Sequence, residues 1–298
     1  MPVRGRRLLR GRPRWVQIVV PTIAVAAVVA PPVTLQVTAN DDPPPVTSNT
    51  VVSSAVVDEF NGRAGSAPNP QIWQHITGGG GFGNNELEVN TDSPANSSLD
   101  GHGHLVISVR RTGTPGHYSY TSARLASLSS IGPYLHAEAR IKMAPGQGVW
   151  PAFWMIGGDA NGTGWPVTGE LDVAESVGKL PKAVFLTAHG FSANPETKPI
   201  AFHWFSPTAV PMRFDVTKGY HVYAMDVTPD SITWSIDHHL YKVLYRNNVH
   251  APDVWSFNIP FHVMLTLSVG GTFAGVPRPS THFPASMYVD YVRVTSTS

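Results

Sequence analysis

From about residue 56 to Thr295 the chain consists of short segments in which small or apolar residues alternate with polar ones, parted by Gly, Pro, Asn and Asp. In Ala137–Met143 the residues Ala137, Ala139, Ile141 and Met143 alternate with Glu138, Arg140 and Lys142. Leu105, Ile107 and Val109 alternate with Val106, Ser108 and Arg110, and Ile232, Trp234 and Ile236 with Thr233, Ser235 and Asp237. A period of two places one set of side chains on each face of a pleated strand, so these segments read as half-buried antiparallel strands. After residue 40 no stretch carries a sustained helical period with caps, and no repeat of about 20 to 50 residues recurs. The fold class is therefore all-β. Many strands in one chain of this length predict two antiparallel sheets packed face to face, a jelly-roll sandwich.

The amino-terminal region is built differently. Residues 1–39 hold six arginines (Arg4, Arg6, Arg7, Arg10, Arg12, Arg14) and no acid, with an apolar run from Val16 to Leu35 and the small-residue exit Val37-Thr38-Ala39. A cationic start, an apolar middle and a small-residue end make a secretory signal peptide, so the protein is expected to be secreted. An uncleaved membrane anchor is the alternative, but Pro21, Pro31 and Pro32 interrupt the span. Residues 40–55, with Asp41-Asp42-Pro43-Pro44-Pro45 followed by Ser, Thr and Asn, read as a linker, and residues 56–298 as one catalytic domain.

Removing the leader reverses the sign of the charge. Six of the 21 Lys and Arg lie in it, which leaves 15 against 20 Asp and Glu, a net of −5 with His neutral. Nothing then points to nucleic acid or an anionic membrane, and a neutral substrate fits better. The chain has no cysteine, which excludes disulfides, thiolate zinc and thiol nucleophiles. No G-x-S-x-G, P-loop or H-E-x-x-H pattern is present, so serine-hydrolase, nucleotide and zincin chemistries have no support.

Chemistry concentrates in Glu170-Leu171-Asp172-Val173-Ala174-Glu175, three carboxylates in an otherwise apolar strand. On a regular strand Glu170 and Asp172 share a face and Glu175 points away. One bulge residue at Val173-Ala174 would return Glu175 to the face of the other two. Carboxylates crowded on one face repel, which raises at least one pKa while another group stays ionised, and that split is what acid-plus-base chemistry needs. The run Trp150-Pro151-Ala152-Phe153-Trp154-Met155 lies upstream, and Trp165-Pro166 and His189-Gly190 flank the cluster. Aromatic faces beside paired carboxylates suit a sugar, whose C–H faces pack on indole.

Eight segments in order carry a resemblance. They are Asp58-Glu59-Phe60-Asn61-Gly62, Gly83-Asn84-Asn85-Glu86-Leu87, Ser122-Ala123-Arg124-Leu125, Glu138–Lys142, Trp150–Met155, Gly169–Glu175, Val269-Gly270-Gly271 and Val289–Val294. Together they resemble glycoside hydrolase family 16, and within it the bacterial laminarinase-like endo-β-1,3-glucanases, over residues 56 to 295. The resemblance implies a concanavalin-like β-jelly roll with an open cleft, and a monomer acting on a β-glucan polysaccharide or oligosaccharide by a retaining double displacement. It implies Glu170 as nucleophile, Glu175 as acid/base and Asp172 as the residue balancing their protonation. Retention needs carboxyl groups about 5 to 5.5 Å apart, so the bulged strand must lean them inward.

By the same resemblance, Asn85 and Arg124 would bond the sugar on the nonreducing side. Trp150, Trp154 and Trp165 would be stacking walls, with Trp154 alternatively in the core, and His189 a polar group on the leaving side. No cofactor is implied for catalysis. A structural calcium is, with Asp290 and main-chain oxygens near Glu59 and Gly103 as its donors. Thr266, where the family often has Asn, and Thr272-Phe273, in place of a Trp-containing pair, are departures that bear on substrate preference. Mixed-linkage glucan or galactan cleavage, transglycosylation and glucan binding without catalysis are the alternatives.

Overall fold

The computed structural model describes residues 52–194, 196 and 202–297. The leader expected over 1–39 and the linker as far as residue 51 lie outside the described residues. In chain order the strands are β1 (Val52–Ser53), β2 (Ala55–Asp58), β3 (Trp73–His75), β4 (Glu88–Asn90), β5 (Ser97–Leu99) and β6 (Leu105–Thr114). Next come β7 (His117–Ser122), β8 (Arg124–Ile131), β9 (Leu135–Lys142), β10 (Val149–Gly157), β11 (Glu170–Glu175) and β12 (Ala183–Phe191). The last six are β13 (His203–Pro211), β14 (His221–Val227), β15 (Ser231–Ile236), β16 (His239–Tyr245), β17 (Phe261–Val269) and β18 (Ala285–Ser296). One four-residue helix, α1 (Gly271–Ala274), follows β17.

The strands form two sheets. An eight-stranded sheet runs β1-β8-β17-β10-β11-β12-β13 with β3 also on β8, and a ten-stranded sheet runs β16-β15-β14-β9-β18-β6-β7-β4 with β2 on β18 and β5 on β6. Pairing is antiparallel except for two short parallel contacts, β1 on β8 and β4 on β7. The linker expectation needs one correction. Val52 and Ser53 pair with Ser130 and Ile131, so the sandwich takes in residues assigned to the linker.

The alternation works as expected on the ten-stranded sheet. Along β9 buried and half-buried residues alternate without a break, and Leu105, Ile107, Ile232 and Trp234 are fully buried. They meet Phe153, Met155, Leu171, Val173 and Leu265 from the other sheet in one continuous core. The central strand β17 is buried along its whole length: on its outer face Met264 enters a second apolar cluster, while His262, Thr266 and Ser268 are hydrogen-bonded to Ser127, Trp154 and Glu86. That cluster comprises Ala126, Ala152, Trp154, Ile156, Ala160 and Met264.

Two polar contacts cross the core beneath the outer face. The indole N–H of the fully buried Trp234 donates to the backbone oxygen of Asp172 at 2.8 Å. The Lys242 ammonium lies 4.3 Å from the Trp234 ring centroid and donates to the backbone oxygens of Leu186, at 2.9 Å, and of Ser206. Lys242 thus ties the edge strand of one sheet to β12 and β13 of the other, and burial lowers its pKa to about 8. Trp234→Phe keeps an aromatic ring but removes the N–H and part of the buried ring area, so it is expected to cost about 1–3 kcal/mol in urea denaturation. A variant as stable as the parent would remove that bond from the account.

Candidate active site

The site grows out of the register of β11. Against β10, Glu170, Leu171 and Asp172 pair with Ile156, Met155 and Trp154, while Ala174 and Glu175 pair with Phe153 and Ala152, so one residue is extra. Against β12 the same irregularity falls between Asp172, opposite Thr187, and Glu175, opposite Phe185. The expected bulge is present. Leu171, Val173 and Ala174 all belong to the core, which leaves Glu170, Asp172 and Glu175 on the outer face of the sheet. An unbulged strand would have put Glu175 into the apolar interior.

Each carboxylate has its own partner. Glu175 accepts a bond from the Trp150 indole N–H at 2.9 Å. Asp172, only 3 % exposed, accepts at 3.0 Å from Nε2 of His189, which stands opposite Glu170 on β12. The same nitrogen is 3.8 Å from Glu170 Oε1. Glu170, Asp172 and His189 bring ligand-type atoms within 4.8 Å of one another, the only such trio among the described residues. With Asp172 ionised, its bond to His189 needs a proton on Nε2, so the trio is arranged to handle protons.

Burial and mutual repulsion act on both glutamates. Glu175 is raised well above the ordinary carboxylate range by burial, then by the charges of Asp172 and Glu170, against which the Trp150 bond acts. Glu170 is raised to about 7 by burial and by Asp172, while His189, Arg124 and Trp165 draw it back. The His189 and Arg124 charges favour the ionised form of Glu170, whereas only the Trp150 bond favours that of Glu175, so the last proton rests more readily on Glu175. His189 is raised too: burial opposes its charge, but Glu170 and Asp172 together outweigh it.

The expected sugar-binding residues are brought to the same face, with corrected parts. Arg124 at the start of β8 lies between the rings of Phe82, 4.8 Å away, and Trp154, 4.6 Å away. Trp154 is 7 % exposed, and its N–H donates to Thr266 Oγ1 at 2.9 Å. It is a support beneath Arg124 rather than an open wall. Thr266, one of the departures noted in the sequence, is the residue that accepts this bond. Trp150 serves Glu175 as a donor and meets Phe273 edge-on at 5.1 Å, and Phe273 in turn meets Phe185 at 4.9 Å. Trp165 stays half-buried, 4.8 Å from the ring of His203. Asn85 is exposed at positive φ (58°), in a loop held by bonds from Leu87 N to Val269 O and from Thr272 N to Asn84 O.

The sequence reading did not single out Phe82, which lies against Arg124, Phe185, which lies against Phe273, or His203 and Phe205, which lie against His189. The calcium expected at Asp290 meets a cation already there: the carboxylate is paired with the Arg140 guanidinium, and the Glu59 side chain with Arg293. Its only carboxylate is thus neutralised in place, so the donor set does not fit a divalent ion, and no step below runs through one.

Residues 83–293 match the family model described as glycosyl hydrolases family 16. The chain belongs to that family. The family 16 chain is 34 % identical over 247 residues to a β-glucanase of Rhodothermus marinus, covering 80 % of this chain and 82 % of that one. Among solved structures it is similar to the endo-β-1,3-glucanase of Pyrococcus furiosus, with a TM-score of 0.69, 36 % identity, and 80 % and 92 % of the two chains covered. It is also similar to the endo-1,3-β-glucanase of Streptomyces sioyaensis, with a TM-score of 0.69, 34 % identity, and coverage of 84 % and 99 %. The all-β sandwich read from the sequence and the family that its eight segments resemble are both borne out.

Proposed function

We propose that this family 16 enzyme is an exported endo-β-1,3-glucanase that cleaves laminarin-type glucan with retention. The observation that carries the reading is the bulge of β11, which gathers Glu170, Asp172 and Glu175 on one face with unequal hold on protons. Glu175, kept protonated, gives its proton to the glycosidic oxygen while the Glu170 carboxylate attacks the anomeric carbon. Glu175, now ionised, takes a proton from water, which attacks the glycosyl-enzyme ester and frees Glu170. Asp172 carries the charge that keeps the Glu175 proton on, and Trp150 orients the Glu175 head.

The substrate class follows from the surroundings and from the relatives. The cations acting on Glu170 are His189 and Arg124, the latter held between two rings, whereas a sulfated polymer would call for a basic cluster. Product analysis on laminarin, curdlan, lichenan and agarose tests the proposal. Oligosaccharides of several lengths are expected early in the digestion of laminarin and curdlan. Activity confined to agarose, or glucose as the only early product, would overturn it.

A further inference from the structure

His203, the first residue of β13, stands one strand beyond His189 and is assigned no part in the reaction above. Its Nε2 is 2.9 Å from His189 Nδ1, and the two ring planes differ by 11°. The residue is 3 % exposed and lies between Phe205, 5.5 Å away and nearly parallel, and Trp165, 4.8 Å away. Register explains the meeting: His189 pairs with Phe205 and Phe191 with His203, so both imidazoles emerge on the face that carries the carboxylates.

Counting protons constrains the chain Asp172–His189–His203. An ionised carboxylate only accepts, so His189 Nε2 carries a hydrogen toward Asp172. His189 Nδ1 then either accepts from His203 or, when His189 is charged, donates to it. We propose that His203 is a positioning residue that holds the His189 ring with its Nε2–H on Asp172 and, by accepting from Nδ1, favours the charged form of His189 that faces Glu170. The proposal rests on the reading of Glu170 as nucleophile. It differs from a packing role because it predicts an effect on proton balance.

The electrostatics agree with the geometry. Burial and the neighbouring His189 charge push His203 down to about 4, so in neutral solution it is an uncharged acceptor rather than a second cation. Glu170 and Asp172 from β11 face His189 and favour its charge, while the Lys242 ammonium from β16 opposes it. Glu170 in turn faces Asp172, His189 and Arg124. His203 meets Nδ1 in both states of His189, but the charge-assisted bond to the imidazolium is the stronger, so removing His203 should lower the charge on His189 and make Glu170 harder to ionise.

The test compares His203→Phe, which keeps a ring against Phe205 and Trp165, with His203→Gln, which restores a polar partner. The readouts are kcat and KM against pH on soluble β-1,3-glucan and the 15N spectrum of the His189 imidazole. For His203→Phe the acid limb should move upward, so that kcat/KM one pH unit below the wild-type midpoint falls about 3- to 10-fold while the plateau stays within about twofold. His203→Gln should recover most of this loss, and the His189 15N signals should change in the Phe variant. A uniform loss at all pH values that Gln does not repair, or an unmoved acid limb, would overturn the proposal. Should the wild-type protein cut no glucan at all, the functional reading fails instead. Unchanged His189 15N signals in His203→Phe would then sink the His203 proposal separately.

Discussion

Glu170→Gln is expected to lower kcat on laminarin by about 10⁴-fold or more, and a better leaving group will not restore it. An amide in place of the carboxylate cannot form the glycosyl ester, and the ester is needed however readily the leaving group departs. Glu175→Gln should behave differently. On glucan the loss should be about 10²- to 10⁴-fold, the usual contribution of a positioned general acid. On an aryl glucoside oligomer whose phenol leaves without help, the first step should survive. The slow step then becomes attack of water, and the glycosyl-enzyme should accumulate as a burst of phenol and a mass increase on intact protein. The bulge makes this contrast testable, because it puts both heads on one face and leaves the neighbours Val173 and Ala174 in the core. A burst from Glu170→Gln with none from Glu175→Gln would exchange the two roles.

How far the sequence discloses this site depends on what each residue meets. The strands of the ten-stranded sheet announce themselves, because one face is core and the other is solvent, and β9 alternates along its whole length. The strands under the site do not. β10 is apolar and buried from Pro151 to Gly157 because Ala152, Trp154 and Ile156 on its second face pack into a cluster with Ala126, Ala160 and Met264, which erases the period-two signal. The bulge was legible because three carboxylates cannot share a face of an apolar strand without it.

The corrected parts depend on tertiary contact. Spacing puts Trp154 on the outer face, yet it does not say that Arg124 lies on the ring and Thr266 takes the N–H. His203 and Phe205 belong to an edge strand whose register with β12 decides what they touch, and nothing local in Phe202-His203-Trp204-Phe205 specifies that register. Asp290 and Arg140 are neighbours through the pairing of β18 with β9, 150 residues apart, so the pairing was invisible to motif reading.

Asp172→Asn should shift the pH dependence of the enzyme as a whole and leave the fold intact. The charge of Asp172 raises the pKa of both glutamates, so its removal lowers both. Glu175 then releases its proton at lower pH, and the basic limb of kcat/KM moves down. Glu170 also ionises more readily, which moves the acid limb in the same direction, but by less. His189 loses the charged acceptor on its Nε2, becomes less cationic, and gives back part of the help it lends to the ionised form of Glu170. The two limbs therefore approach each other as they descend. At neutral pH most of the acid form is then lost, and kcat should fall about 10- to 100-fold, within the range that full loss of a general acid would reach. The backbone oxygen of Asp172 keeps its bond from Trp234, so the bulge should survive the substitution. The check is a kcat/KM profile of Asp172→Asn beside the parent on soluble glucan. A basic limb that stays in place or moves upward would mean that Asp172 does not govern the Glu175 proton, and the division of labour among the three carboxylates would have to be assigned afresh.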